Sequence, residues 1–292
     1  MLLRPILYVT GLMTMGLGFM MLPCALVDVL GGEPSWRLFF LLAIVFMTIG
    51  GAMAIATRKQ DAKIRTHEAF ILTVMIWIVL VLVAAMPFFL GFNMSFTDAF
   101  FESMSGLTTT GATVMTGLET YPPSIILWRA ILQWIGGIGI IVTAIAILPS
   151  LKVGGMQLFH LESSDTSDKF LPRIGEIAMQ TALVYLGLAA ICAGLYRVTG
   201  MTEFEAVSMS MTTVATGGFA GTDASFAPYV STGADIVAIV FMTICSLPFA
   251  VMILALHGDF GGFGVTPNCV FGSVWRSSLR SQSLLTLQVG QK

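Results

Sequence analysis

Six runs of at least twenty residues without a single Asp, Glu, Lys or Arg dominate this chain: positions 6–27, 38–57, 69–93, 130–151, 177–196 and 236–256. A helix of that length rises about 30 Å, the depth of a bilayer's hydrocarbon core. Charged residues make up 10% of the 292 positions and apolar ones 56%, too few ions to coat a water-soluble domain of this size. The first run follows Arg4 as a secretory signal would. It is too long for a signal core, however, and no small-x-small site precedes Asp28, so it reads as a span. Cys24, Cys192 and Cys245 fall inside predicted spans and Cys269 in the tail, with no disulfide or metal spacing. His67, His160 and His257 are equally isolated, and no metal site is expected.

Basic residues in short loops resist translocation, so their distribution orients the chain. With the N-terminus cytoplasmic, the inside collects Arg4, Arg58, Lys59, Lys63, Arg65, Lys152, Lys169, Arg173, Arg276, Arg280 and Lys292, and only Arg37, Arg129 and Arg197 fall outside. The outer side then carries Asp28, Glu33, Asp98, Glu102, Glu119, Glu203, Glu205, Asp223 and Asp235, a net acidic face that enriches cations. For any single one of these carboxylates, a solvated loop is the simpler role. Arg129, at the start of the fourth run, reads as snorkelling to the headgroups slightly better than as a partner for Glu102 or Glu119.

The last four runs are not evenly connected. Residues 93–124 are too many for a tight turn and too apolar for a free loop, and 200–231 repeat that anatomy. Thr97-Asp98 and Ser103-Met104-Ser105 match Thr202-Glu203 and Ser208-Met209-Ser210 at an offset of 105, and Thr110-Gly111 matches Thr216-Gly217 at 106. Each unit reads as helix, re-entrant helix, turn, helix. Thr97 or Thr202 is expected to cap the short helix, with Asp98 or Glu203 favouring its positive end. Irregular backbone at membrane depth is tolerated only where protein or a water-filled path surrounds it, which makes the Thr-Gly turns functional candidates. A strand mixing hydroxyls with a residue that accepts positive φ can aim successive carbonyls at an axis and replace the hydration shell of a potassium ion. A single Thr-Gly would read as close helix packing; two, at matching places behind similar short helices, read as a filter.

The segments 100–112 (FFESMSGLTTTGA), 128–141 (WRAILQWIGGIGII) and 212–219 (TTVATGGF) resemble the Trk/Ktr/HKT superfamily of potassium transporters, specifically its bacterial TrkH-type subunits, and the resemblance covers roughly residues 1–259. It implies an all-α membrane protein of six transmembrane helices plus two re-entrant pore helices with filter loops, built from potassium-channel-like helix–pore–helix repeats. Implied boundaries are a helix pair at 1–65, a first repeat at 66–150, a cytoplasmic linker at 151–171, a second repeat at 172–258 and a divergent tail at 259–292. That tail reads as disordered, out of frame or prematurely ended. The resemblance assigns Thr109, Thr110, Gly111, Ala112 and Thr113 to one filter strand and Ala215, Thr216, Gly217, Gly218 and Phe219 to another. Potassium would bind at Thr110, Gly111, Thr216 and Gly217, with Asp98, Glu102, Glu203 and Glu205 as pore-mouth acids.

The implied activity is passive or ion-coupled potassium movement, without a cofactor, catalysis or nucleic acid. Location in a bacterial inner membrane, homodimerisation and a cytosolic nucleotide-binding regulatory ring are implied as well. Two filter strands supply half a ring, so a non-conducting fragment is the rival expectation. An intramembrane enzyme would need paired catalytic residues, which the uncharged runs do not offer. Gly136-Gly137-Ile138-Gly139 lacks the strand and the Lys-Ser/Thr of a phosphate loop and reads as helix packing.

Overall fold

In lipid every backbone amide must find its partner within the protein, and a helix is how one uncharged run does so by itself. The computed structural model describes residues 3–57, 66–147, 170–247, 249 and 252, and among these all regular structure is helical. The helices are α1 (Leu3–Gly31), α2 (Trp36–Thr57), α3 (Thr66–Gly91), α4 (Phe96–Leu107), α5 (Pro123–Ile147), α6 (Phe170–Val198), α7 (Glu203–Val214) and α8 (Ala234–Cys245). Short 3₁₀ turns at Leu118–Thr120 and Ala227–Thr232 complete the two long connections.

Five helices are long and apolar enough to cross a membrane, over Ile6–Gly31, Trp36–Thr57, Ile71–Gly91, Pro123–Ile141 and Met179–Val198. The sixth uncharged run is helical over 236–245, within α8, and most of its remainder lies outside the described residues. So do the expected linker apart from its last residues, Lys59, Lys152, His160, His257, Cys269 and the tail. The chain divides into units Met1–Ser246 and Leu247–Lys292, and all eight helices belong to the first. The fourth span is a correction. It starts at Pro123 rather than 130, so Arg129 lies within α5 and is 1% exposed.

Outward-facing Phe19, Leu41, Ile55, Leu183 and Ile239 give the described unit an apolar exterior. Lipid removes the hydrophobic drive for helices to associate, so close backbone approach does that work. Between α1 and α2 the approach occurs at Gly11 and Gly50, where a Cβ on Gly50 would stand 2.6 Å from the Met15 nitrogen. Gly50→Leu is therefore expected to part α1 from α2 and cost at least about 1–3 kcal/mol of stability, measured by denaturant unfolding in detergent.

The helix pair is pinned to the first repeat by polar bonds. Asp28, fully buried at the end of α1, accepts from Ser124 N at 2.9 Å, satisfying one of the orphan amides of α5, and also accepts from the Ser35 hydroxyl. Trp128 of α5 donates to the Ala84 carbonyl of α3 at 3.0 Å and meets Phe39 of α2 edge-on. These contacts fasten α5, from which Arg129 and Gln133 reach the turns.

Candidate functional site

The two short helices, α4 and α7, have 12 residues each and begin with the same chemistry. The first amides of a helix lack partners inside it, and a hydroxyl just before the helix supplies one. Ser95 Oγ accepts from Asp98 N at 3.1 Å, and Thr202 Oγ1 from Glu205 N at 3.3 Å. Glu205 reciprocates by accepting from Thr202 N at 2.8 Å, and Tyr229 Oη donates to it at 2.6 Å. Thr202 caps as expected. Thr97 does not, because the extended residue three places before a carboxylate is Ser95. Glu205 thus completes a capping box, the Asp98 carboxylate accepts from the Ser95 hydroxyl at 2.8 Å, and Glu203 stays exposed.

The caps correct the register between the repeats. Ser95 and Thr202, the C-caps Thr108 and Ala215, left-handed Thr109 (φ 55°) and Thr216 (φ 52°), and left-handed Gly111 (φ 77°) and Gly218 (φ 80°) all stand 107 positions apart. Three turn bonds recur at that spacing. The amides of Thr108, Thr109 and Thr110 donate to Met104, Gly106 and Ser105, and those of Ala215, Thr216 and Gly217 donate to Met211, Thr213 and Thr212. Gly111 therefore corresponds to Gly218, and Thr110 to Gly217. The offsets of 105 and 106 followed matching letters, whereas the backbone repeats by conformation.

The structure brings the two turns together. A Cβ on Gly111 would run into the Gly217 carbonyl oxygen, and one on Gly217 would strike the Gln133 amide. Gly111 combines this contact with positive φ, so only glycine fits there. Among the described residues, no protein group donates a hydrogen bond to the carbonyl oxygens of Thr109, Thr110, Gly111, Thr216, Gly217 or Gly218. Thr110, Ala112, Thr216 and Gly218 lie on the exposed side, whereas Ala215, Gly217 and Phe219 are buried.

The first turn is anchored from behind. Ser105 Oγ donates to the Ala112 carbonyl, and the Thr108 and Thr110 hydroxyls bond at 2.8 Å. Glu102, expected at the pore mouth, is fully buried. It accepts from Thr113 Oγ1 at 2.9 and 3.0 Å and from Val114 N at 3.2 Å, and pairs with Arg129 Nε at 2.8 Å. Arg129 therefore does not snorkel. An unpaired charge at that depth would be costly, and the ion pair lets α5 run past it.

The second turn has different anchors. Arg129 Nη1 donates to the Ala220 carbonyl at 2.8 Å, and its guanidinium lies 4.1 Å from the Phe219 ring centroid. Phe219 N donates to Gln133 Oε1 at 3.1 Å. Tyr196 Oη and the Thr213 hydroxyl, 2.7 Å apart, tie α6 to α7. Gly136 and Gly137 do serve close packing: a Cβ on the first would meet the Leu107 carbonyl and one on the second the Tyr185 hydroxyl.

A clasp joins the loops beyond the turns. Asp223 accepts from Gly117 N at 2.6 Å and Leu118 N at 3.0 Å, while its own amide donates to Glu119 Oε1 at 2.9 Å. The bonds from Leu118 and Gly117 lower the Asp223 pKa below the ordinary carboxylate value. A depressed folded-state pKa stabilises the clasp above the ordinary value, about 4, and the benefit is lost as pH falls through the lowered one. Exchange of the Gly117 and Leu118 amides, corrected for intrinsic rates, should thus accelerate in wild type between about pH 5 and pH 3, and Asp223→Asn should flatten that dependence.

A family model described as a cation transport protein, TrkH, matches residues 37–258. The chain belongs to the TrkH family. It is 41% identical over 257 residues to the Trk system potassium uptake protein TrkI of Halomonas elongata, covering 87% of this chain and 52% of that protein. It is 38% identical over 259 residues to Trk system potassium uptake protein TrkH of Escherichia coli (strain K12), covering 87% of this chain and 54% of that one. The crystal structure of the potassium transporter TrkH from Vibrio parahaemolyticus superposes with a TM-score of 0.80 at 36% identity, over 90% of this chain and 54% of that chain. The chain spans about half the length of the curated relatives it matches. The TrkH family's description agrees with transport rather than catalysis.

Sequence reasoning missed the roles of Gln133, Ser105 and Tyr229, and the clasp. The Ser/Thr-x-x-Asp/Glu signatures at 95–98 and 202–205 were available to fix the register. Gln133, a lone amide inside an uncharged run, was the other signal.

Proposed function

We propose that this chain contributes two strands of a carbonyl-lined filter for potassium, Thr109–Thr113 and Ala215–Phe219, behind re-entrant pore helices α4 and α7. The observation that carries the proposal is the convergence of two turns of one conformation in which the carbonyls of Thr109, Thr110, Gly111, Thr216, Gly217 and Gly218 meet no donor among the described residues. Oxygens around Thr110, Gly111, Thr216 and Gly217 would replace the ion's water, and the C-terminal ends of α4 and α7 would add negative potential. Arg129, Glu102, Gln133 and Ser105 hold the strands from behind, and Glu203 with the outer loops supplies the cation-attracting mouth.

The proposed topology has six spans, with the N-terminus and the 151–171 linker in the cytoplasm of a bacterial inner membrane and repeats at 66–150 and 172–258. A closed ring needs further strands, supplied by a second copy or by more of the same polypeptide. Flux is passive or ion-coupled, and a cytosolic nucleotide-binding regulator would act at the linker face. The rival is a membrane-inserted, non-conducting fragment with a structural role, favoured by the two strands counted here.

Expression of the full chain in a cell lacking its own potassium uptake separates the two. Growth restored at low potassium is the expected result. No restoration, with membrane insertion confirmed, would overturn the transport proposal and leave the rival.

A further inference from the structure

The two strands are backed by unlike residues that share one side chain. In the corrected register Glu102 corresponds to Met209, so the equivalent position in the second repeat carries no carboxylate. Instead Arg129 reaches both turns. Its Nε pairs with Glu102 at 2.8 Å, and its Nη2 donates to Thr113 Oγ1 at 3.2 Å on the first turn. Its Nη1 donates to the Ala220 carbonyl at 2.8 Å, and its Cζ stands 4.1 Å from the Phe219 ring centroid on the second. The guanidinium is planar and its donors diverge at fixed angles, so bonds made in different directions fix the distance between what they hold.

We infer that Arg129 is the positioning residue that sets the spacing between the two strands, and so the ion size the filter accepts. This rests on the filter reading above. Arg129 touches no ion; it acts through Thr113, Glu102, Phe219 and Ala220. α5, fastened through Asp28 and Trp128, gives it a firm base. Selectivity is thereby tied to a contact between repeats rather than to either strand alone.

The inference distinguishes lysine from methionine at this position. An ammonium can keep the ion pair with Glu102 but cannot at the same time span to Ala220. Arg129→Lys should leave the first strand held and loosen only the second, whereas Arg129→Met should loosen both. The measurement is amide exchange of the purified full-length chain in detergent, read on peptides covering 112–116 and 217–221, with α1 and α2 as the internal reference.

Expected in Arg129→Lys is exchange about tenfold faster or more at 217–221, with 112–116 and the reference unchanged. In Arg129→Met both segments should accelerate by that factor. Uniform acceleration including the reference would mean general destabilisation, and unchanged exchange at 217–221 would mean no bridging; either overturns the inference. A parallel uptake assay expects the potassium-to-sodium preference to fall in Arg129→Lys. If wild type carries no potassium, the proposed function fails, while the exchange pattern still decides whether Arg129 couples the strands.

Discussion

Replacing Glu102 by Ala is expected to cost about 3–5 kcal/mol of stability, the largest loss from any single side chain around the turns. Both partners of the pair are withdrawn from solvent, at 0% for Glu102 and 1% for Arg129. Truncating Glu102 strands the guanidinium in a low-dielectric pocket and frees Thr113 Oγ1 and Val114 N, which have only this carboxylate as acceptor here. Such a pair adds little over a well-packed apolar substitute, so the cost arises from breaking one side. A Glu102→Met, Arg129→Leu double variant should therefore lose less than the sum of the two single losses, by about 1 kcal/mol or more. Unfolding of the four chains by graded denaturant in detergent gives the comparison, and additive losses would contradict it.

On the proposed function, Gly111→Ala should abolish potassium uptake, or reduce it about tenfold or more, because the added methyl must displace the Gly217 carbonyl from its position. Two costs act at this position. Left-handed backbone (φ 77°) carries roughly 1–2 kcal/mol for a residue with a Cβ, and the collision with the neighbouring strand comes on top. Gly32 separates the two costs, since it has the same hand (φ 75°) with nothing within 4 Å of a Cβ. Gly32→Ala should lower stability modestly and leave uptake intact. Gly218, also left-handed and with open space around a Cβ, should fall between them. Equal uptake in Gly111→Ala and Gly32→Ala, at matched membrane levels, would show that the contact between strands carries no function.

How far the sequence revealed this arrangement depended on the kind of signal. Spans were legible because lipid imposes one rule on every backbone group, and uncharged runs of sufficient length obey it visibly. The fourth span extends beyond its uncharged run because Glu102 compensates Arg129, and a charge balanced from another helix does not end a span. Partnership between residues 27 positions apart on different helices leaves no local pattern. The Thr-Gly turns were legible as a pair, but their alignment was not. Letter identity at Ser-Met-Ser competed with cap chemistry, and caps, which satisfy backbone groups, determine where a helix starts. Gln133 and Asp223 escaped because each acts on backbone amides of a distant segment, a role that any amide or carboxylate could fill.

The proposed filter requires the carbonyls of Gly111 and Gly217 to share one ion path. Crystals of the full chain soaked in rubidium, with anomalous scattering recorded at the rubidium edge, test this. The expected result is an anomalous peak with the Gly111 and Gly217 carbonyl oxygens in its coordination shell. Peaks confined to the outer acidic loops, with those two carbonyls packed against acyl chains, would contradict it.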